Sequence, residues 1–290
     1  MYRTVAPPVA ARGVPAPPLR LERVVHRAFP AGRNRIDDAF SERHFTDLTT
    51  QYGVEYRPGL VPGGTGNTFA AMSRELVESL DLDGDPVGVA IVAHCTPDLD
   101  CRYAAATYLS EAWPHSPLAF GVSEQGSCTP FVALRLATEF ARRHALGRAL
   151  VLVLDQAALP YDTGLVGDQA LRGDAGVALL LSTGDGPGEG RGVRPDLRHT
   201  PGVSTEDVRA LLAEQLSPYG RDITVVAGSG IDPGRDLPDG LAEVRGAAKG
   251  FPCSALWAEL AGPAGPRPLV LVEHDPTTGD LGVCVAGDAP

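Results

Sequence analysis

Apolar residues along this chain gather into short continuous runs separated by turn-forming residues. The runs are VGVAIVAHC (87–95), RALVLVLDQ (148–156), GDAGVALLLS (173–182), DITVVAGSG (222–230), PLVLVEHD (268–275) and LGVCVAG (281–287). Runs of this length, rich in Val, Leu and Ala, predict strands buried on both faces. Between them the apolar spacing becomes helical. TFAAMSRELVESLDL (68–82) reads as an amphipathic helix capped by Thr68, and a second helix is expected over 101–112. A third is expected over Phe131–Phe140, where apolar residues fall at 131, 132, 134, 136, 137 and 140. STEDVRALLAEQL (204–216), with Ser204 and Asp207 placed as a capping pair, and PCSALWAEL (252–260) complete the set.

Buried strands alternating with helices predict an α/β fold whose second half repeats the order of the first. The Gly-rich stretch TGDGPGEGRG (183–192) is the best break, so the halves are expected at 1–184 and 185–290. Residues 1–20, rich in Pro and Ala, read as a flexible lead-in, and the chain from there to about 60 is loosely patterned. PGGTGN (62–67) reads as a turn, because no Gly-Lys-Ser/Thr follows it and it does not fit G-x-G-x-x-G.

Composition narrows the function. With 290 residues, 43% hydrophobic and 21% charged, the chain has the make-up of a globular protein with a substantial core. A net charge of −11 argues against nucleic acid as a partner. No apolar run approaches the ~18 residues of a membrane span, and the start lacks the apolar core of a secretory leader. A cytoplasmic protein with no membrane partner is expected. Its five cysteines, at 95, 101, 128, 253 and 284, show no C-x-x-C, so reduced thiols and no metal site are expected. Lys249 is the single lysine among many arginines, the mark of a GC-rich coding background.

Candidate chemistry centres on FGVSEQGSCTPFVALRLATEFA (120–141), where Ser127 and Cys128 stand between a short strand and a helix. A thiol at a helix N-terminus faces unpaired N–H groups and the positive end of the dipole, which favours the thiolate. On the other reading, Ser127 caps the helix and Cys128 fills space.

In order and local signature the chain resembles the thiolase-like superfamily, and within it β-ketoacyl-acyl-carrier-protein synthase III. IVAHCTPDLDCRYAAATYLSEA is similar to that family's strand, turn and helix, and the 120–141 segment to the one bearing its nucleophilic cysteine. RALVLVLDQ and RGDAGVALLLS resemble the strands closing the first half. STEDVRALLAEQLSPYGRDITVVAGSG, GAAKGFPCSALWAEL and PLVLVEHDPTTGDLGVCVAG follow in the family's order, so the resemblance spans roughly residues 50–290. It implies a five-layer αβαβα fold of two pseudo-repeated halves. It also implies a dimer made by pairing a first-half strand across a two-fold axis.

The family's cysteine takes an acyl group, and a His–Asn pair stabilises the enolate formed when the extender loses CO2. Here the His position falls at about Gly228 or Ser229 and the Asn position at Phe251. The chain is also shorter than is usual for the family, with the missing length between Ser182 and Thr200, a region that commonly helps form the acyl tunnel. Alignment on ALRLA makes Ser127 the nucleophile, whereas residue identity makes it Cys128. His274 in the final turn, oriented by Asp275, is expected to serve as the base. The candidate site is therefore Cys128, Ser127, His274 and Asp275.

The resemblance implies acyl transfer or condensation in a biosynthetic pathway through an acyl-enzyme, without the usual decarboxylating pair. No cofactor is expected, the acyl group arriving on the phosphopantetheine of acyl carrier protein or coenzyme A. The alternative is a catalytically degenerate partner subunit of a heterodimeric ketosynthase III-like enzyme. A hydrolase or thioesterase is a weaker third reading.

Overall fold

The long apolar runs become the centres of two five-stranded sheets in the computed structural model, which describes residues 19–30, 32–35, 37–80, 82, 86–113, 116–183, 195–263 and 265–287. The 184/185 boundary and most of the expected lead-in lie outside the described residues.

In chain order the first sheet region comprises β1 (Arg20–Phe29), β2 (Asn34–Arg35), α1 (Ala39–Thr50), β3 (Thr65–Gly66), α2 (Phe69–Leu80) and β4 (Val89–His94). It continues with α3 (Ala105–Ala112), β5 (Leu118–Val122), α4 (Thr129–His144), β6 (Arg148–Asp155) and β7 (Asp174–Ser182). The second comprises β8 (Asp196–Thr200), α5 (Val208–Leu216), β9 (Thr224–Ala227), α6 (Pro233–Asp236) and β10 (Glu243–Gly246). It ends with α7 (Ala255–Ala258), β11 (Leu269–Asp275) and β12 (Asp280–Ala286).

The first sheet has the order β1-β7-β6-β4-β5 and the second β8-β12-β11-β9-β10. In both, all five strands pair in the same pattern. β5, β4 and β6 are parallel, and β7 and β1 join antiparallel. β10, β9 and β11 are parallel, and β12 and β8 join antiparallel. The two sheets are thus pseudo-repeats, and α4 after β5 corresponds to α7 after β10.

Strand periodicity sorts side chains into layers. On β6, Val151 and Val153 face the centre of the molecule while Leu150, Leu152 and Leu154 face outward. The outward set packs on Phe69, Met72, Leu76 and Leu80 of α2 and on Leu109 of α3. The inward set meets α4 and α7, which lie between the sheets, with Phe131 and Trp257 edge to face at 4.8 Å. Beyond the second sheet, Val208 and Leu212 of α5 cover Val270 and Val272 of β11. The result is α2/α3, first sheet, α4/α7, second sheet, α5/α6: five layers, as expected. Gly282 on β12 has no side chain because the Phe131 ring lies against it.

Local chemistry sets the helix starts. The Thr68 hydroxyl accepts the Ala71 N–H at 3.1 Å and caps α2. The helix expected from 101 begins at Ala105, because Asp98 and Asp100 accept the N–H groups of Asp100 and Arg102 and hold that stretch in turns. The helix expected over 252–260 is one α turn at Ala255–Ala258 followed by a 3₁₀ turn at Glu259–Ala261. β1, β8 and β10 arise where the apolar pattern is weak, since all three are edge strands with polar, partly exposed faces. No described helix is long and apolar enough to cross a membrane.

Candidate functional site

The chain leaves β5 and turns through a 3₁₀ segment, Gly126–Cys128, into α4. Gly126 has φ +50°, and a Cβ there would strike the Asp275 carboxylate, so both the backbone and the space require glycine. Asp275 ends β11 in the other sheet. Its Oδ2 accepts the Ser127 N–H at 2.9 Å and the Ser127 hydroxyl at 3.3 Å, and its Oδ1 accepts the N–H groups of Thr277 and Thr278. The Cys128 thiol donates to the Asp280 carbonyl at 3.1 Å, with the Glu273 carbonyl at 3.6 Å.

Cys128 is 0% exposed. Burial, with the Glu273 carboxylate next in effect and Asp275 and Asp280 behind it, pushes the thiol well above its ordinary pKa. The lowered pKa expected of a helix N-terminus is overturned: the field of nearby carboxylates and the loss of water outweigh the helix dipole.

Glu273, which the sequence reading passed over, closes the site. Its side chain is buried and shares the inward face of β11 with Leu271. One carboxylate oxygen accepts the Ser229 N–H at 2.9 Å, and the other accepts those of Gly230 at 2.8 Å and His274 at 3.0 Å. A Cβ at Gly228 would overlap this carboxylate. The segment where the resemblance places a catalytic His is therefore a glycine-lined nest that holds Glu273 instead. Burial lifts Glu273 to about 7 against three N–H donors that favour the anion. At the expected Asn position, the Phe251 ring packs 3.3 Å from where a Gly173 Cβ would stand.

His274 is not beside the elbow. Strand alternation puts it on the outward face of β11 with Val270 and Val272, where its Nε2 lies 3.1 Å from the Val203 carbonyl. The second sheet stands between this ring and Cys128, so the expected His274 base does not reach the thiol. Nor does Asp275 orient it, being committed to Ser127 and the final turn. The structure brings Ser127, Cys128 and Asp275 together and leaves His274 out. The period-2 alternation of VLVEHD carried this information, because residues 273 and 275 share one face and 274 takes the other.

The pseudo-repeat has a second elbow. Asp155 ends β6, as Asp275 ends β11, and accepts the N–H groups of Cys253 at 3.1 Å and Ser254 at 2.7 Å and the Ser254 hydroxyl at 2.6 Å. Each central helix therefore begins on a buried aspartate supplied by the opposite sheet. Burial raises Asp155 to about 6. A cleft of about 420 Å³, lined by Thr224, Glu243, Arg245, Arg267 and Leu269, opens at the other ends of β9 and β11, away from both elbows.

No protein-family model matches the sequence, and no curated protein matches it. Solved structures do. AbyA1, a tetronic acid condensing enzyme, superposes with a TM-score of 0.60 at 15% identity, over 93% of this chain and 100% of that one. A 3-oxoacyl-(acyl-carrier protein) synthase from Burkholderia xenovorans gives 0.57 at 13% identity, over 96% of each chain. A variant of OleA from Xanthomonas campestris gives 0.55 at 12% identity, over 94% and 99%. With its paired sheets and central helices, the chain has the thiolase-like fold of these structures.

Proposed function

We propose that this chain serves acyl condensation of the ketosynthase III type as a non-catalytic subunit, bound to a homologue with a complete Cys–His–Asn set. The observation that carries this reading is the closed elbow. Cys128 has no exposed surface, and two backbone nests that could cradle an oxyanion are filled by Glu273 and Asp275. Developing negative charge is not stabilised where carboxylates already stand. The names of the structural neighbours, condensing enzymes and acyl-carrier-protein synthases, suggest the reaction class. In such a pair the homologue would draw its acyl group from acyl carrier protein or a coenzyme A thioester. This chain would offer the open edge of β5, with Leu118 half exposed, as the subunit contact. The five free cysteines are consistent with a reducing, cytoplasmic setting.

Intact-protein mass spectrometry after mixing with acyl-coenzyme A or acylated carrier protein tests the proposal. No adduct is expected on this chain, and Cys128→Ala leaves the turnover of the complex unchanged. A thioester on Cys128, or loss of turnover on its removal, would replace this reading with an acyltransferase that opens its own elbow.

A further inference from the structure

The second elbow gathers three groups that the sequence keeps far apart. Cys95 follows β4 directly, and β4 runs parallel to β6 with His94 opposite Leu154, which sets Cys95 beside Asp155. Cys253, whose N–H is bound to Asp155 Oδ1, comes from the turn leading into α7. The two Sγ atoms and a carboxylate oxygen of Asp155 all lie within 4.8 Å of one another. Asp155 and Cys253 are buried and Cys95 is half-buried, so the cluster's nearest approach to solvent is on the Cys95 side.

The charge at this cluster is uncompensated. Among the described residues no arginine, lysine or histidine pairs with Asp155, whose partners are the two N–H groups and one hydroxyl already named. The further charge that bears on it is another carboxylate, Asp174. A buried carboxylate without a cation beside two thiols suits a divalent metal of borderline softness.

We infer that Cys95, Asp155 and Cys253 form a zinc-binding site, with the fourth position left to water on the Cys95 side. Zinc takes thiolate sulfur at about 2.3 Å and carboxylate oxygen at about 2.0–2.2 Å, which sets ligand atoms roughly 3.5–3.8 Å apart. From separations within 4.8 Å, the cluster reaches that by contracting at most about 1.3 Å. Asp155 Oδ1 accepts a single N–H bond and keeps a lone pair for the metal, while Ser254 holds Oδ2 as the outer-shell hydrogen bond such carboxylates use. On binding, the two thiols release their protons to solvent. The bound ion would fasten the ends of β4 and β6 to the start of α7, with Cys253 Sγ 3.8 Å from the Gly126 carbonyl of the first elbow. The inference is independent of the subunit's catalytic status, and it replaces the expectation of no metal.

Cobalt(II) titration of the full chain, reduced with a phosphine and freed of metal, tests it. One Co²⁺ per chain is expected, with a thiolate-to-cobalt charge-transfer band in the near ultraviolet that Zn²⁺ abolishes by displacement. Ser254→Ala should weaken binding by about 10–100-fold, the usual loss when an outer-shell bond is removed. Cys95→Ser, at the half-buried position where folding is least at risk, should weaken it further and reduce the charge-transfer band. Cys101→Ser should change nothing. Absence of the band in the reduced chain overturns the site, as does a band of unchanged intensity and affinity in Cys95→Ser. A Cys95–Cys253 disulfide mapped in protein purified without reductant, with no metal taken up after reduction, overturns it in favour of a redox pair.

Discussion

Glu273 keeps a carboxyl group out of water among three backbone N–H donors, and its pKa of about 7 stands above the ordinary 4.5. The folded chain therefore holds this proton more tightly than the unfolded chain does. The associated stability is fully present below pH 4.5 and is lost as pH rises through about 7, a change on the order of 3 kcal/mol. Urea unfolding of the wild type and Glu273→Gln across pH 4–8 isolates this group, because the other titrations cancel in the difference. The wild type should lose stability relative to the variant over that window, whatever fixed offset the amide brings. Parallel curves would mean that this carboxyl titrates alike in the folded and unfolded chains. At this scale the sequence revealed the elbow cysteine but not its surroundings. A glutamate inside an apolar strand was the available signal, since charged side chains are seldom fully buried without partners. Placing His274 in a turn hid the parity that separates it from Cys128.

At the scale of elements, the two elbows invite a paired comparison. The Ser254 hydroxyl is 2.6 Å from Asp155, whereas that of Ser127 is 3.3 Å from Asp275. Ser254→Ala strips a close donor from a buried carboxylate and should cost about 1–3 kcal/mol, while Ser127→Ala should cost about 0.5 kcal/mol. Denaturant midpoints at constant slope report both, and equal losses would show that the shorter bond carries no extra weight. The central strands β4, β6, β7, β11 and β12 were legible because burial on both faces writes them as unbroken apolar runs. The edges were not. β1 reads RLERVVHRAF and β8 reads DLRHT, polar sequences that become strands by pairing with a neighbour already in place. α7 was overread because its apolar residues serve the central layer over little more than one turn.

Across the whole molecule, the repeat of strand order between the sheets was legible, since two series of apolar runs recur with helices between them. Assembly belongs to this scale. Among the described residues β5 is an edge paired on one side only, which invites a second chain, and a lysine there blunts such edges. Leu118→Lys, at a residue 53% exposed, should leave the fold intact and convert the proposed dimer or complex to monomer in light scattering. Undiminished association would move the subunit contact elsewhere. The crossed aspartates bear on how the chain reaches its fold at all. Ser254 meets Asp155 across 99 residues of chain, and Ser127 meets Asp275 across 148. Such distant contacts close only after much chain entropy has been surrendered, which makes them late steps in folding. Neither central helix has its first turn secured until the opposite sheet supplies the carboxylate. The two sheets should therefore unfold together, and calorimetry should show a single transition; two resolved transitions would mean that each sheet is stable without the other's carboxylate.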